Sequence, residues 1–491
     1  MSPLANSFII ALASTAAACV LGLVAAFAVV AVSPSRRLAH TFLALSVLPI
    51  LVPSYVVVSF WMEALGAGGR LSRWIASGHA VTLTGLWPTV LVLALVYWSP
   101  VALICHFTLM RIDRAMIEAA ELSLGKCRAN LRVVAPLLWP SIAMGAALVF
   151  VLTFSNFSVP AMFQVRSIQN EIYVQFNANF AVGKALLAAL PQLVAAIALL
   201  WIVVRMLRSR PWIAISGRSS GMDAVNSRFS EARLQRLLGL GFVIGLLTLS
   251  AISPITRSVA AVFHGKVLWQ TLVVSAHQIW NSFWFAFLAA TIVVGLSFVG
   301  VTDGVRRRTG AQRDLPLLMS GATLFTIPFV LPEVIIGIAL IAIFNRPSLQ
   351  FIYASIAIVL IALVVRYFIV GKLAAALGRS HVDPSLLEAA ELAGLTRTAM
   401  LFRIQLPLLS RWLFAGWWLT YLFCLADVGS LVLIYPPGCD TVPIRIFNLL
   451  HYGYDAQVSV LCLVMLALGA IPLLILPRVT RIFANDRVQT T

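Results

Sequence analysis

Glu118-Ala119-Ala120-Glu121-Leu122 returns as Glu388-Ala389-Ala390-Glu391-Leu392, 270 residues further on. Each copy lies in a polar stretch between apolar runs, and the runs repeat with it. Asn6-Ser7-Phe8 opens the first run and Asn281-Ser282-Phe283 opens the seventh, 275 residues later. Arginine clusters close both runs, Arg36-Arg37 in one and Arg306-Arg307-Arg308 in the other. Two offsets within five residues of each other make the chain a duplication.

The solvent for most of this chain is lipid. Of 491 residues, 61% are hydrophobic and 11% charged, with a mean hydropathy of +0.98. A soluble domain is about half apolar and about a quarter charged, so a soluble enzyme is excluded. The net charge of +18 sits in short Lys/Arg clusters between apolar runs. That pattern belongs to membrane loops rather than to a nucleic-acid surface. Six cysteines without a CxxC support neither a disulfide framework nor a zinc site, and no cofactor is expected.

A helix crosses a bilayer in about 20 residues. Eleven runs qualify, at 6–32, 41–62, 85–109, 139–163, 184–206, 237–262, 279–301, 316–344, 350–370, 411–434 and 456–477. The alternation of barrel strands is absent, so the reading is all-α and polytopic. One set of alternate loops, including 205–236 and 366–411, holds 27 Lys and Arg, and the other set holds 8. The richer side is cytoplasmic, which places the N-terminus outside and the C-terminus inside. The first run has no basic residue before Arg36 and reads as a permanent span, not a cleaved signal.

Six spans separate the copies, so both halves face the same way and the repeat is parallel. We divide the chain into a first repeat (1–207), a cytoplasmic linker (208–236) and a second repeat (237–491). The second repeat carries a span, 237–262, ahead of its Asn-Ser-Phe helix. Its first-half counterpart is either lost or lies upstream of Met1.

Each pentapeptide is expected to form a short helix. Asp383-Pro384 supplies a favoured N-cap followed by a favoured first residue, and Asp113 stands at the matching place in the first copy. Glu118 and Glu121, three apart, share a face. The paired alanines Ala119-Ala120 and Ala389-Ala390 keep the surface low. Gly125 and Gly394 then break the helix, and a second short helix runs to Pro136 or Pro407.

This helix–glycine–helix resembles the EAA loop of the permeases of binding-protein-dependent ABC importers, and the likeness extends over nearly the whole chain. The second copy fits well: Gly394 is six after Glu388, and Ile404, Leu406 and Pro407 close it. The first departs, with Gly125 seven after Glu118 and Ala135-Pro136 in place of Leu-Pro. The resemblance implies the type I permease fold in two parallel repeats and a multi-pass place in a bacterial inner membrane. It further implies an extracytoplasmic solute-binding protein and two ATPase subunits. One ATPase would seat on Glu118, Ala119, Ala120 and Gly125, the other on Glu388, Ala389, Ala390 and Gly394. The chain is not expected to hydrolyse ATP itself. Its Gly-Lys pairs, at 125, 183, 265 and 371, are followed by Cys127, Ala185, Val267 and Leu373, whereas a P-loop needs Ser or Thr there.

The solute is less legible. Glu333, after Leu331-Pro332, and Asp427, before Val428-Gly429, are the best-placed intramembrane acids. They suit either helix and gate pairs or contacts along the solute path. The segment from Tyr435-Pro436-Pro437-Gly438 to His451-Tyr452-Gly453, and Asn156-Phe157-Ser158-Val159-Pro160-Ala161 in the first half, resemble elements of iron(III)-type permeases. Ferric iron is therefore the leading solute, with thiamine, phosphonate and polyamine sharing the architecture. An ion-driven secondary transporter also has parallel halves. The EAA loops argue against it, since such a transporter docks no ATPase.

Overall fold

The computed structural model describes residues 2–32, 45–65, 84–177 apart from 111 and 113, 233–263, 267–303, 325–452 apart from 381, and 455–485. It also describes 41 and individual positions between 183 and 205. Met1–Gly265 with Gly453–Ser459 form one compact unit, and Lys266–Tyr452 with Val460–Thr491 form the other.

The first unit contains helices α1 (Pro3–Val32), α2 (Ser54–Leu65), α3 (Leu86–Leu109), α4 (Arg114–Leu124), α5 (Ala135–Phe154), α6 (Ile168–Asn177) and α7 (Arg233–Leu247). The second contains α8 (Ala276–Asp303), α9 (Glu333–Phe344), α10 (Ile356–Ser380), α11 (Pro384–Leu392), α12 (Leu406–Ala426), α13 (Val442–His451) and most of α14 (Asp455–Asn485). From α1/α8 to α6/α13 the elements correspond one to one, so the duplication seen in sequence is also a duplication of elements. Every regular element among the described residues is helical, as lipid demands.

Lipid gives helices no hydrophobic reason to associate, so close approach through small residues does that work. A Cβ on Gly22 of α1 would lie 2.6 Å from the Trp98 carbonyl of α3. In the second unit a Cβ on Gly371 of α10 would lie 2.6 Å from Val293 of α8, and one on Gly416 of α12 would overlap Ala374. Each bundle is thus a tight three-helix contact, with Leu12, Val20 and Leu296 left on the outside. α7 packs on α1: Val243, Leu246 and Leu247 meet Ala25, Ala28 and Val29, and Trp98 Nε1 donates to Ser250 Oγ. The run 233–263 therefore lies in the compact unit of the first bundle, although the repeat pattern starts the second half at 237.

Among the described residues eight helices are long and apolar enough to span, and they fall on eight of the eleven expected runs. Two expected spans are corrected. The run 41–62 is a helical turn, Leu48–Leu51, then a break at Val52-Pro53, then α2. The run 316–344 breaks in the same way at Leu331-Pro332 before α9. Proline lacks an N–H and pushes the residue before it out of the helical region. In both repeats the helix restarts identically: Val56 N–H donates to Pro53 O at 3.0 Å and Ile335 N–H to Pro332 O at 3.1 Å. α9 then turns by 105° into the short helices of Pro347–Tyr353. Part of the run 184–206 and most of the linker 208–236 lie outside the described residues.

Candidate coupling loops and an intramembrane ion cluster

α4 and α11 are held to their bundles by equivalent residues. Ile117 sits with Ile112, Val134 and Leu138, and Leu387 sits with Val382, Met400 and Leu409. Anchoring this face turns the other outward: Glu118, Ala119, Glu388, Ala389 and Glu391 are exposed, Ala120 and Glu121 are half-buried, and Ala390 is buried. Leu122 is 91% exposed and its counterpart Leu392 is 90% exposed. Two leucines left bare at matching positions are not explained by packing within either bundle.

The caps explain the shape of each loop. Asp383 accepts the Ser385 N–H at 3.0 Å, which holds its carboxyl below the usual carboxylate range. Asp113 lies outside the described residues. Gly125 and Gly394 have φ of +75° and +71°, the left-handed C′ position that glycine fills without strain. At Gly394 two bonds close the helix, Gly394 N–H to Glu391 O and Leu395 N–H to Ala390 O, the Schellman arrangement. At Gly125 a single bond runs to Glu121 O, the simpler left-handed cap. The extra residue between Glu118 and Gly125 thus changes how the first helix ends. Both loops continue through a π-helical turn, Asn130–Val134 and Leu401–Gln405, into α5 and α12.

Glu333 and Asp427 meet through Arg366. Arg366 was counted with 366–411 on the cytoplasmic side. It is instead the eleventh residue of α10, only 4% exposed. Position 366 falls both in the expected span 350–370 and in the basic stretch 366–411, and the helix settles the overlap; the asymmetry of charge between the two loop sets survives the loss of one arginine. Arg366 donates through Nη2 to Glu333 Oε1 at 3.1 Å and through Nε to Tyr367 Oη at 3.2 Å. Its Nε lies 3.5 Å from Asp427 Oδ2. Tyr367 donates to Asp427 Oδ2 at 2.7 Å, and Asp427 Oδ1 accepts the Ser430 N–H at 2.9 Å. The Asp427 side chain is fully buried, whereas that of Glu333 is 21% exposed. Gly429 makes room for it, because a Cβ there would overlap the Glu333 carboxylate. Arg366 Nη1 is buried without a hydrogen-bond partner among the described residues.

The first unit builds the same site without charge. Tyr97 stands where Tyr367 does, and Asn156 where Asp427 does. Asn156 Oδ1 accepts the Val159 N–H at 2.9 Å, three residues on as in the second copy, and its Nδ2 reaches Tyr97 Oη at 3.5 Å. Val96 replaces Arg366, and Ser54, which follows Pro53, replaces Glu333. Among the described residues no group of three or more His, Cys, Asp or Glu is arranged to hold a metal.

Residues 18–210 match the family of the binding-protein-dependent transport system inner membrane component. Through this segment, which is less than half of its length, the chain is similar to that permease family. It is a multi-pass inner-membrane protein with the type I permease fold. The chain is 28% identical over 159 residues to the putative 2-aminoethylphosphonate transport system permease protein PhnV of Salmonella paratyphi A. That match covers 32% of this chain and spans 59% of the length of PhnV. It is 26% identical to the spermidine/putrescine transport system permease protein PotC of Haemophilus influenzae, over 43% of this chain and 77% of PotC. A putative ferric transport system permease protein of the same organism, FbpB 1, is 23% identical over 86% of this chain and 68% of its own length.

Proposed function

We propose that this chain is a two-repeat permease subunit of an ABC importer, with a small solute delivered by an extracytoplasmic binding protein. Two separate ATPase subunits supply the energy, one on α4 and one on α11. The observation that carries the reading is the pair of outward helices. Each is anchored by one apolar residue, each is broken by a left-handed glycine, and each shows an exposed glutamate (Glu118, Glu388) beside a nearly bare leucine (Leu122, Leu392). The recurrence of the same bare leucine and exposed glutamate on both helices is what a protein contact repeated in each half would need. An ion-driven transporter has no use for two such surfaces at a 270-residue repeat. We assign residues 1–207 and 237–491 to the two functional halves, joined by the linker 208–236.

Ferric iron is the solute we favour, because the match to the ferric permease runs across both repeats, while the PhnV and PotC matches cover 32% and 43% of the chain. Of the two acids, Glu333 is the one we assign to the solute path. Asp427 has both oxygens engaged and no exposed side-chain surface. Uptake of labelled iron, thiamine and 2-aminoethylphosphonate by a deletion strain carrying the gene tests the assignment. Lost iron uptake without the gene supports it. Intact iron uptake with loss of another solute overturns the iron reading alone.

A further inference from the structure

The ion cluster belongs to one repeat only, and it joins three pieces of backbone. Glu333 is the first residue after the break at Leu331-Pro332, Arg366 lies within the continuous helix α10, and Asp427 caps the turn that follows α12. The first repeat has the same break, the same tyrosine and the same capping turn, held by Asn156 and Tyr97 with no charge. Its existence shows that this backbone needs no ion pair to form.

The geometry points to Arg366 as a positioning residue of a one-sided latch, which pins the break before α9 through Glu333 and makes the second repeat the one that opens against an electrostatic restraint. Within the cluster the Arg366–Asp427–Tyr367 side is sealed, and the Arg366–Glu333 contact is the accessible one. Glu333 is therefore the partner that leaves when α9 moves about Pro332. Arg366 keeps Asp427 and so is never left as an isolated buried charge, the costly outcome. The unpartnered Nη1 donor is consistent with an arginine that serves two arrangements and is fully satisfied in neither. The latch rests on the permease reading, since its consequence is read as coupling between ATP hydrolysis and solute delivery.

The direct test is Glu333→Ser, which copies Ser54 of the first repeat and leaves Arg366 paired with Asp427. In the reconstituted complex this variant should melt close to the parent yet hydrolyse ATP severalfold faster without binding protein, with less solute moved per ATP. Parental hydrolysis and coupling would overturn the latch. Arg366→Val should lower the melting midpoint by on the order of 10 °C, and Arg366→Lys should restore part of it. The triple change E333S/R366V/D427N, which copies the first repeat, should restore melting but not coupling. If it restores both, the cluster is structural only and the proposal fails; if Glu333→Ser does not fold, this triple variant decides by the same readout. A parent chain that recruits no ATPase sinks the permease reading. The pinning by Arg366 is then judged by melting alone, where an unaltered Arg366→Val overturns it.

Discussion

The Ser282 hydroxyl accepts the Val442 amide proton at 2.8 Å, across 160 residues of chain. Ser7 does the same for Ile168 at 2.9 Å. Beside each serine an asparagine completes a clamp. Asn6 donates to the Arg166 carbonyl, and Asn281 donates to those of Gly438 and Asp440. The Asn-Ser pair that announces each repeat in sequence thus ties the start of its first helix to the segment leading into α6 or α13.

Removing either serine should strand a buried N–H. Ser7→Ala and Ser282→Ala are each expected to destabilise their bundle by about 1–3 kcal/mol. The two effects should add, as the sites share no partner. Denaturant unfolding in lipid nanodiscs measures both, and a strongly non-additive double variant would contradict the picture of two separate clamps.

The glycine caps make a second pair of expectations. A Cβ on Gly125 or Gly394 would meet nothing within 4 Å, so alanine there costs only the left-handed conformation, about 1–2 kcal/mol. Asparagine should be tolerated better than alanine. Recovery of ATPase subunits with the purified permease should fall in the order Gly, Asn, Ala at both positions. Gly394→Pro should fall lowest.

At Gly429 the obstacle is steric. Gly429→Ala drives a methyl group into the Glu333 carboxylate and should cost about 1–3 kcal/mol. In a Glu333→Ser background part of that cost should vanish, because the overlapped carboxylate is gone while the Cβ, which the added methyl also approaches, stays. A double-mutant cycle on thermal unfolding reads the coupling; independence of the two changes would place Glu333 elsewhere.

Most of this architecture is legible from residue order. Eight spans, both glycine caps and the Asp383 N-cap follow from apolar length and local chemistry. What escaped is what depends on meeting across the chain. Pro53 and Pro332 lie inside apolar runs, and apolarity reports burial in lipid, not helix continuity. Arg366 lies at once within the apolar run 350–370 and at the head of the basic stretch 366–411, so residue order leaves it on a boundary. Only the spatial meeting with Glu333 and Asp427, 33 and 61 residues away, shows it to be intramembrane. Two lone acids in apolar surroundings were the available signal that a buried cation should be sought. The clamps were visible as a repeated Asn-Ser-Phe, but their partners were not.

Orientation rests on the arginine count and is open to direct measurement. Reporters fused after Arg37, within the 208–236 linker and after Arg487 should read cytoplasmic, and those at Gly68 and Asp440 should read external. A cytoplasmic signal at Asp440 would reverse the assignment of the clamped segments to the outer face.

The central claim is that α4 and α11 each seat one ATPase. Native mass spectrometry of the complex, purified through a tag on this chain, tests it most directly. The account predicts one permease chain with two ATPase subunits, one of which is lost in Glu388→Lys/Leu392→Asp while the other stays bound through α4. A complex without ATPase, or one that keeps both subunits in that variant, would contradict it.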